Sequence, residues 1–124
     1  MNVLSGFELG YLVGLLEGEG SFGYYSGTQR IYLAMIDEDS VNRVAGLCER
    51  IIGRDVHVYE RPPYGASKQI AYEFHINGHG ARMIMRLIVR HMSYRRRQRI
   101  WQNLNGFQPA KINVIDLLQI KQGQ

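Results

Sequence analysis

Residues 6–22 read Gly-Phe-Glu-Leu-Gly-Tyr-Leu-Val-Gly-Leu-Leu-Glu-Gly-Glu-Gly-Ser-Phe, an apolar helical pattern broken by Gly10, Gly14 and Gly18 at four-residue intervals. Residues four apart share one helix face. Each glycine in a helix interior costs about 1 kcal/mol relative to alanine. Such a stripe has a physical use when another helix backbone must come close, because no Cβ stands in the way. The segment therefore predicts a helix that needs a neighbour along its glycine face. Its start is marked by Ser5 and Glu8 at capping-box spacing, with Leu4 and Leu9 placed for a hydrophobic staple. Gly20 is expected to end it in the left-handed conformation.

The rest of the chain alternates between two periods. Ser21–Ser26 and Arg30–Ile36 read as strands around a Ser26-Gly27-Thr28-Gln29 turn. Asp37 or Asp39 can cap a second helix whose apolar side carries Val41, Val44, Ala45, Cys48, Ile51 and Ile52, ending at Gly53. Val56 and Val58 alternate with His57, Tyr59 and Arg61 in a third strand, and Pro62-Pro63-Tyr64-Gly65 turns the chain. Ile70, Tyr72, Phe74 and Ile76 mark a fourth strand. Asn77 caps a third helix bearing Met83, Ile84, Leu87, Ile88 and Met92. Ser93 caps a fourth that runs to Leu104. A short last helix fits Ile112–Ile120, beyond the breaks at Gly106 and Pro109, and is expected with Phe107 to pack on the domain's flank.

The αββ unit thus appears twice, and the predicted class is α+β: a four-stranded antiparallel sheet with helices on one face. One domain spans residues 1–124, with a core over about 5–104 and a helical extension over about 109–121. The polar phase of the strands places Tyr25, Arg30, Tyr32, His57, Tyr59, Arg61, Gln69, Glu73 and His75 on the open face.

The formal charge of +4 on 124 residues favours an acidic partner. Cys48 is the only cysteine, which excludes an intramolecular disulfide and a cysteine zinc cluster, and its helical position predicts a small buried hydrophobe. No signal peptide or membrane-spanning run is legible, so an intracellular protein is expected: bacterial or phage cytoplasm, or an organelle interior. His79 and His91 lack partners at metal-ligand spacing and read as structural or surface residues.

Glu19 sits where the helix dipole is negative, which disfavours an isolated carboxylate. A bound cation reverses that argument, and a carboxylate beside helix-end carbonyls suits a hard metal. A two-fold axis along the glycine stripe would bring two copies of Glu19 together. Like charges at close range call for metal between or beside them.

The segment Leu12–Gly20 resembles the LAGLIDADG motif of homing endonucleases. Leu12, Gly14, Leu15 and Gly20 match it by letter, and Val13 and Leu16 are conservative departures. Glu17 and Glu19 replace the two aspartates, and Gly18 replaces the alanine. With the αββαββα order the resemblance covers roughly residues 8–104. It implies a single-motif homodimer in which Gly10, Tyr11, Gly14, Leu15 and Gly18 line the interface. It implies that Glu19, with Gly18 beside it, holds Mg²⁺, for which Mn²⁺ or Ca²⁺ can stand in during binding. It places Asp37 near the metal or the attacking water, although Asp37 also reads as a plain helix cap. It puts a basic residue and, three positions on, a glutamine at the scissile phosphate; Arg95 and Gln98 have that spacing, with Arg97 as the alternative.

The family usually has lysine at that basic position. Arginine is always charged and cannot act as a base, which restricts it to electrostatic stabilisation. The implied activity is a metal-dependent double-strand break in a long pseudo-palindromic DNA site. The open sheet face and Lys68 would read the DNA, Arg30 and Arg61 on guanine edges and Gln69 on adenine. A strand of about 8 residues spans about 26 Å, so two subunits would cover about 15–20 base pairs. Two other readings follow from the same residues: a non-cleaving nucleic-acid-binding protein (an intron RNA maturase or a transcriptional regulator), or an α+β dimer whose glycines merely pack. No membrane or further protein partner is implied.

Overall fold

The computed structural model describes residues 4–63, 65 and 68–105. The expected helix over 112–120, Phe107, Pro109 and Tyr64 lie outside them. The described elements are α1 (Gly6–Glu19), β1 (Gly20–Tyr25), β2 (Thr28–Met35), α2 (Glu38–Ile52), β3 (Tyr59–Arg61), β4 (Ala71–Asn77), α3 (Gly78–Ile88) and α4 (Tyr94–Leu104), with a 3₁₀ turn at Val89–His91. The strands form one antiparallel sheet in the order β1-β2-β4-β3. The class is α+β, and the helices cover one sheet face. No described helix is long and apolar enough to cross a membrane.

Alternation along the strands builds the core. Phe22, Ile31, Leu33, Phe74 and Ile76 point to the helix layer and are buried. They meet Leu12 and Leu16 of α1, Val41, Val44 and Cys48 of α2, Ile84 and Ile88 of α3, and Ile100 of α4. Burial in this apolar setting pushes the Cys48 thiol up to about 12. It is packing material, as its helical position suggests.

α1 begins as predicted. Ser5 Oγ accepts from the Glu8 N–H at 3.1 Å, and Glu8 Oε1 accepts from the Ser5 N–H at 2.8 Å. Glu8 also takes Arg50 of α2 at 2.5 Å. The hydrogen bond from Arg50, helped by the Ser5 backbone, holds the Glu8 carboxyl at about 2, below the usual 4.5. A lowered folded-state value stabilises the fold above the unfolded value and loses that contribution as pH falls. Thermal melting is therefore expected to drop between pH 4.5 and about 2 more steeply in the wild type than in Glu8→Gln. Parallel profiles for the two would remove this tie between α1 and α2.

The end of α1 differs from the expectation. Gly20 is extended (φ −78°, ψ 156°), not left-handed, and leads straight into β1. Its glycine has another cause. A Cβ there would lie 2.8 Å from the Leu16 carbonyl oxygen, so the absence of a side chain lets the strand leave directly off the helix end.

Several boundaries shift. The β1–β2 turn has two residues, Ser26 and Gly27, both at positive φ (51° and 82°), with Tyr25 opposite Thr28. Such a turn matches the strand twist better than the four-residue turn read from composition. The third strand is only Tyr59–Arg61, and Val56 is buried outside the ladder. Ile70 lies outside β4 and is exposed. On α3 Ile84 and Ile88 are buried as expected, but the face widens toward Ala81 and Met85, leaving Met83 half-buried and Leu87 exposed. Asp37 and Asn77 occupy N-cap positions without capping a helix N–H by their side chains.

A polar hub closes the core at the hairpin end. Gln29 Nε2 donates to the Asn103 carbonyl at 2.8 Å, and Arg82 Nη1 donates to Gln29 Oε1 at 2.9 Å. Gln29 is buried, so these bonds join β2, α3 and α4 where loss of a partner would leave a desolvated polar group. The sequence pattern assigned Gln29 to the turn.

Candidate functional site

Three features of the molecule could carry function: the foot of α1, its glycine face and the open side of the sheet.

At the foot, the two glutamates of the motif part company. Glu17 faces α4. The Ser93 N–H donates to Glu17 Oε1 at 2.6 Å, and Ser93 Oγ donates to Oε2 at 3.1 Å. Arg96 Nε stands 3.7 Å from the same carboxylate. Glu17 thus places a negative charge at the positive end of α4, where it is favoured. Glu19 is exposed. The Gly20 N–H returns to the Leu16 carbonyl, and the last carbonyls of a helix, here those of Glu17, Gly18 and Glu19, have no partner within it. An exposed carboxylate thus sits on the same turn as carbonyls that the helix itself leaves unpartnered.

Asp37 stands at the same end of the sheet, past β2. Gly20 pairs with Leu33, so Asp37 lies three residues beyond the row of Glu19, roughly 10 Å along an extended chain. Its Oδ2 accepts from Ser40 Oγ at 2.6 Å. Among the described residues no three His, Cys, Asp or Glu side chains converge as metal ligands.

α4 flanks the outer edge of β1. Arg96 Nη1 donates to the Gly20 carbonyl at 2.6 Å, and Arg99 Nε donates to the Phe22 carbonyl at 3.2 Å. Two arginines three apart on a helix thus reach carbonyls two apart on the edge strand, which among the described residues has no strand neighbour on that side. Covering an edge in this way protects it from unwanted strand pairing. Sequence reasoning missed this use of Arg96 and Arg99. Their spacing is visible in the sequence, but their acceptors are backbone atoms, which residue types do not reveal. Among the three candidate residues of this helix, Arg95 is exposed. Arg97 is buried, with 3% of its surface accessible. Gln98 is half-buried and donates to Tyr94 Oη at 3.2 Å.

The glycine face points outward. Among the described residues, a Cβ on Gly10, Gly14 or Gly18 would meet nothing within 4 Å. Leu12 and Leu16 anchor the opposite face of α1. Phe7, near the start of the helix, is 73% exposed. Tyr11 and Leu15 are half-buried against their own domain, and the Arg43 guanidinium sits 4.7 Å over the Tyr11 ring.

The open sheet face gathers the polar strand residues as expected. Tyr25, Arg30, Tyr32, Glu73 and His75 share it, and Tyr59 and Arg61 extend it on β3. The Arg30 guanidinium lies 4.6 Å over Tyr25, and Arg61 Nη1 donates to Tyr32 Oη at 3.3 Å. Burial raises the Tyr32 phenol, and its hydrogen bond to Glu73 adds to that rise, so Tyr32 stays a neutral donor. His57 lies edge-on to Tyr59 at 4.2 Å, and Tyr59 stacks parallel to His75 at 6.2 Å. Lys68 and Gln69 fall in the connection before β4, outside the strands. Rigid strands therefore display guanidinium forks and hydroxyls beside flat rings. Such a surface can pair with planar acceptors and lie against apolar edges.

The chain matches no protein-family model and no curated protein.

Proposed function

We propose that this chain is a single-motif LAGLIDADG-type homing endonuclease, a homodimer that binds a long two-fold-symmetric DNA site and cuts both strands. The observation that carries the reading is a junction. A helix with an exposed, Cβ-free stripe passes through Glu19 and Gly20 directly into a sheet whose outer face bears Arg30, Tyr32, Tyr59 and Arg61. Packing two stripes about a two-fold axis would bring two Glu19 carboxylates together and set two such faces side by side. The order α1-β1-β2-α2-β3-β4-α3 also agrees with the αββαββα fold of that family.

The residues at the foot of α1 fit Mg²⁺. They offer oxygen donors only, which is what this ion takes, and it keeps several positions for water and phosphate. Glu19 with neighbouring helix-end carbonyls would hold it, and one carboxylate per chain makes the partner's contribution necessary. Bound there, the ion would supply Lewis-acid stabilisation of phosphodiester charge. The chain's own groups do the rest. Arg95, the exposed arginine of residues 95–97, would stabilise negative charge at the phosphate without exchanging a proton. Glu17 and Arg96 hold α1, α4 and the start of β1 together, so the foot of the helix is fixed in place. Arg30 and Arg61 would donate in pairs to guanine edges in the major groove.

Arginine at position 95, where lysine is usual, favours a second reading: a binding protein of the same fold that does not cut. Incubation with a randomised duplex library and Mg²⁺, followed by sequencing of cut ends, decides between them. A discrete enriched cut site is expected. Binding without any enriched cut would pass the case to the second reading, and no binding to duplex DNA or structured RNA by a folded dimer would end both.

A further inference from the structure

β3 starts late. Its ladder with β4 runs only from Tyr59 opposite Glu73 to Arg61 opposite Ala71. Residues 55–58 leave β4 uncovered from His75 to Asn77, and a cleft of about 600 Å³ opens there. Its ionisable lining is Arg54, Asp55, His57, His75 and His79, with Thr28 and Asn77 as neutral polar neighbours. Arg54 Nη2 donates to the Asn77 carbonyl at 3.4 Å.

The charges in this cleft nearly cancel at alkaline pH, since Arg54 opposes Asp55. Its net charge is then set by the three imidazoles, and histidine is the side chain that changes charge between about pH 5 and 8. Other ionisable groups nearby are already engaged. Glu49 Oε2 accepts from the Val56 N–H at 2.8 Å. Glu73, two residues back on β4, hydrogen-bonds Tyr32, which stands opposite His75. Arg30, opposite Asn77, lies over Tyr25, and Tyr59 stacks on His75. Among the described residues these histidines do not converge as metal ligands.

The geometry points to this cleft as a proton-dependent clamp for the sugar-phosphate backbone of duplex DNA, formed by Arg54 with the imidazolium groups of His57, His75 and His79. The inference rests on the DNA-binding reading above and extends the open face at its outer end. His75 and Asn77 belong to both surfaces, so a duplex lying on the sheet would carry its backbone across the cleft mouth. A bound phosphate favours the charged imidazole, so affinity rises as pH falls and is lost as pH rises. Each phosphate neutralised steepens the dependence of log K on log salt by about 0.9.

The test uses the full chain, a fluorescein-labelled duplex pool of mixed sequence, EDTA and constant ionic strength. Wild type is expected to bind roughly five- to tenfold more tightly at about pH 6 than at about pH 8, since one unit of pKa coupling gives about tenfold at most. Its salt slope should be steeper at the lower pH. The triple variant His57→Gln/His75→Gln/His79→Gln should flatten the pH profile, whereas His91→Gln, which does not line the cleft, should keep it. Should the triple variant fail to fold by circular dichroism, His79→Gln alone is expected to lose a measurable part of the gain. Wild-type binding that ignores pH, or a profile lost with His91 instead, overturns the clamp and leaves the DNA reading standing. No binding at either pH overturns both.

Discussion

Gly14→Leu is expected to produce a folded monomer with a helix at least as stable as the wild type's. Among the described residues of one chain the position is open: an added Cβ meets nothing within 4 Å. Leucine replaces the poorest non-proline helix former with one of the best, a gain of about 1 kcal/mol. Between chains of the proposed dimer the sign reverses. A leucine in a close-packed stripe holds two backbones apart, and overpacking of this kind costs about 1–3 kcal/mol at each copy. In the proposed dimer two copies would face each other, so association should weaken by roughly 30- to 10⁴-fold at about 1.4 kcal/mol per factor of ten. Sedimentation equilibrium and thermal melting, run together, give the answer. A wild-type chain that is already monomeric, or a Gly14→Leu variant that dimerises as well as the wild type, would show that the stripe is only surface.

Glu19→Gln should abolish cutting and leave dimer formation and duplex binding in place. The side chains are nearly the same size, and position 19 is exposed. The bonds tying α4 to α1 and to the start of β1 use Glu17 and the Gly20 carbonyl, so the fold does not depend on the Glu19 charge. What the change removes is the carboxylate proposed to hold Mg²⁺. Metal stabilisation of the transition state is worth several kcal/mol, so the cutting rate should fall by about 10³-fold or more. The assay is single-turnover cutting of the site recovered from the library, with binding to the same duplex measured in parallel. Cutting at the wild-type rate would take Glu19 out of the mechanism. Glu17→Gln offers the contrast: it should lower the melting temperature, because Ser93 and Arg96 lose a charged partner.

Local rules made much of this molecule legible in advance. The Ser5–Glu8 capping box, the apolar side of α2 and its left-handed Gly53 stop follow from interactions within a few residues. The open sheet face was legible for a related reason: period-two alternation assigns Tyr25, Arg30, Tyr32, Glu73 and His75 to one side whatever lies on the other. Gly20 shows the limit of such rules. Its type marked a helix end correctly, but the reason is a close approach to the Leu16 carbonyl and not a positive φ.

By itself the sequence determined the element order, the sheet's two faces and the glycine stripe leading to Glu19, because these depend on periodicity and on backbone preferences carried by each residue. Only the tertiary structure decided how the similar charges divide: Glu17 to the start of α4, Glu19 to the surface, Arg96 and Arg99 to the edge of β1, and Arg97 to the interior. It also decided that β3 begins late and leaves a histidine-lined cleft beside β4. The physical reason is common to all of these. A charged side chain's role is set by which distant backbone atom or carboxylate comes within about 3 Å of it, and that distance exists only once the chain has folded.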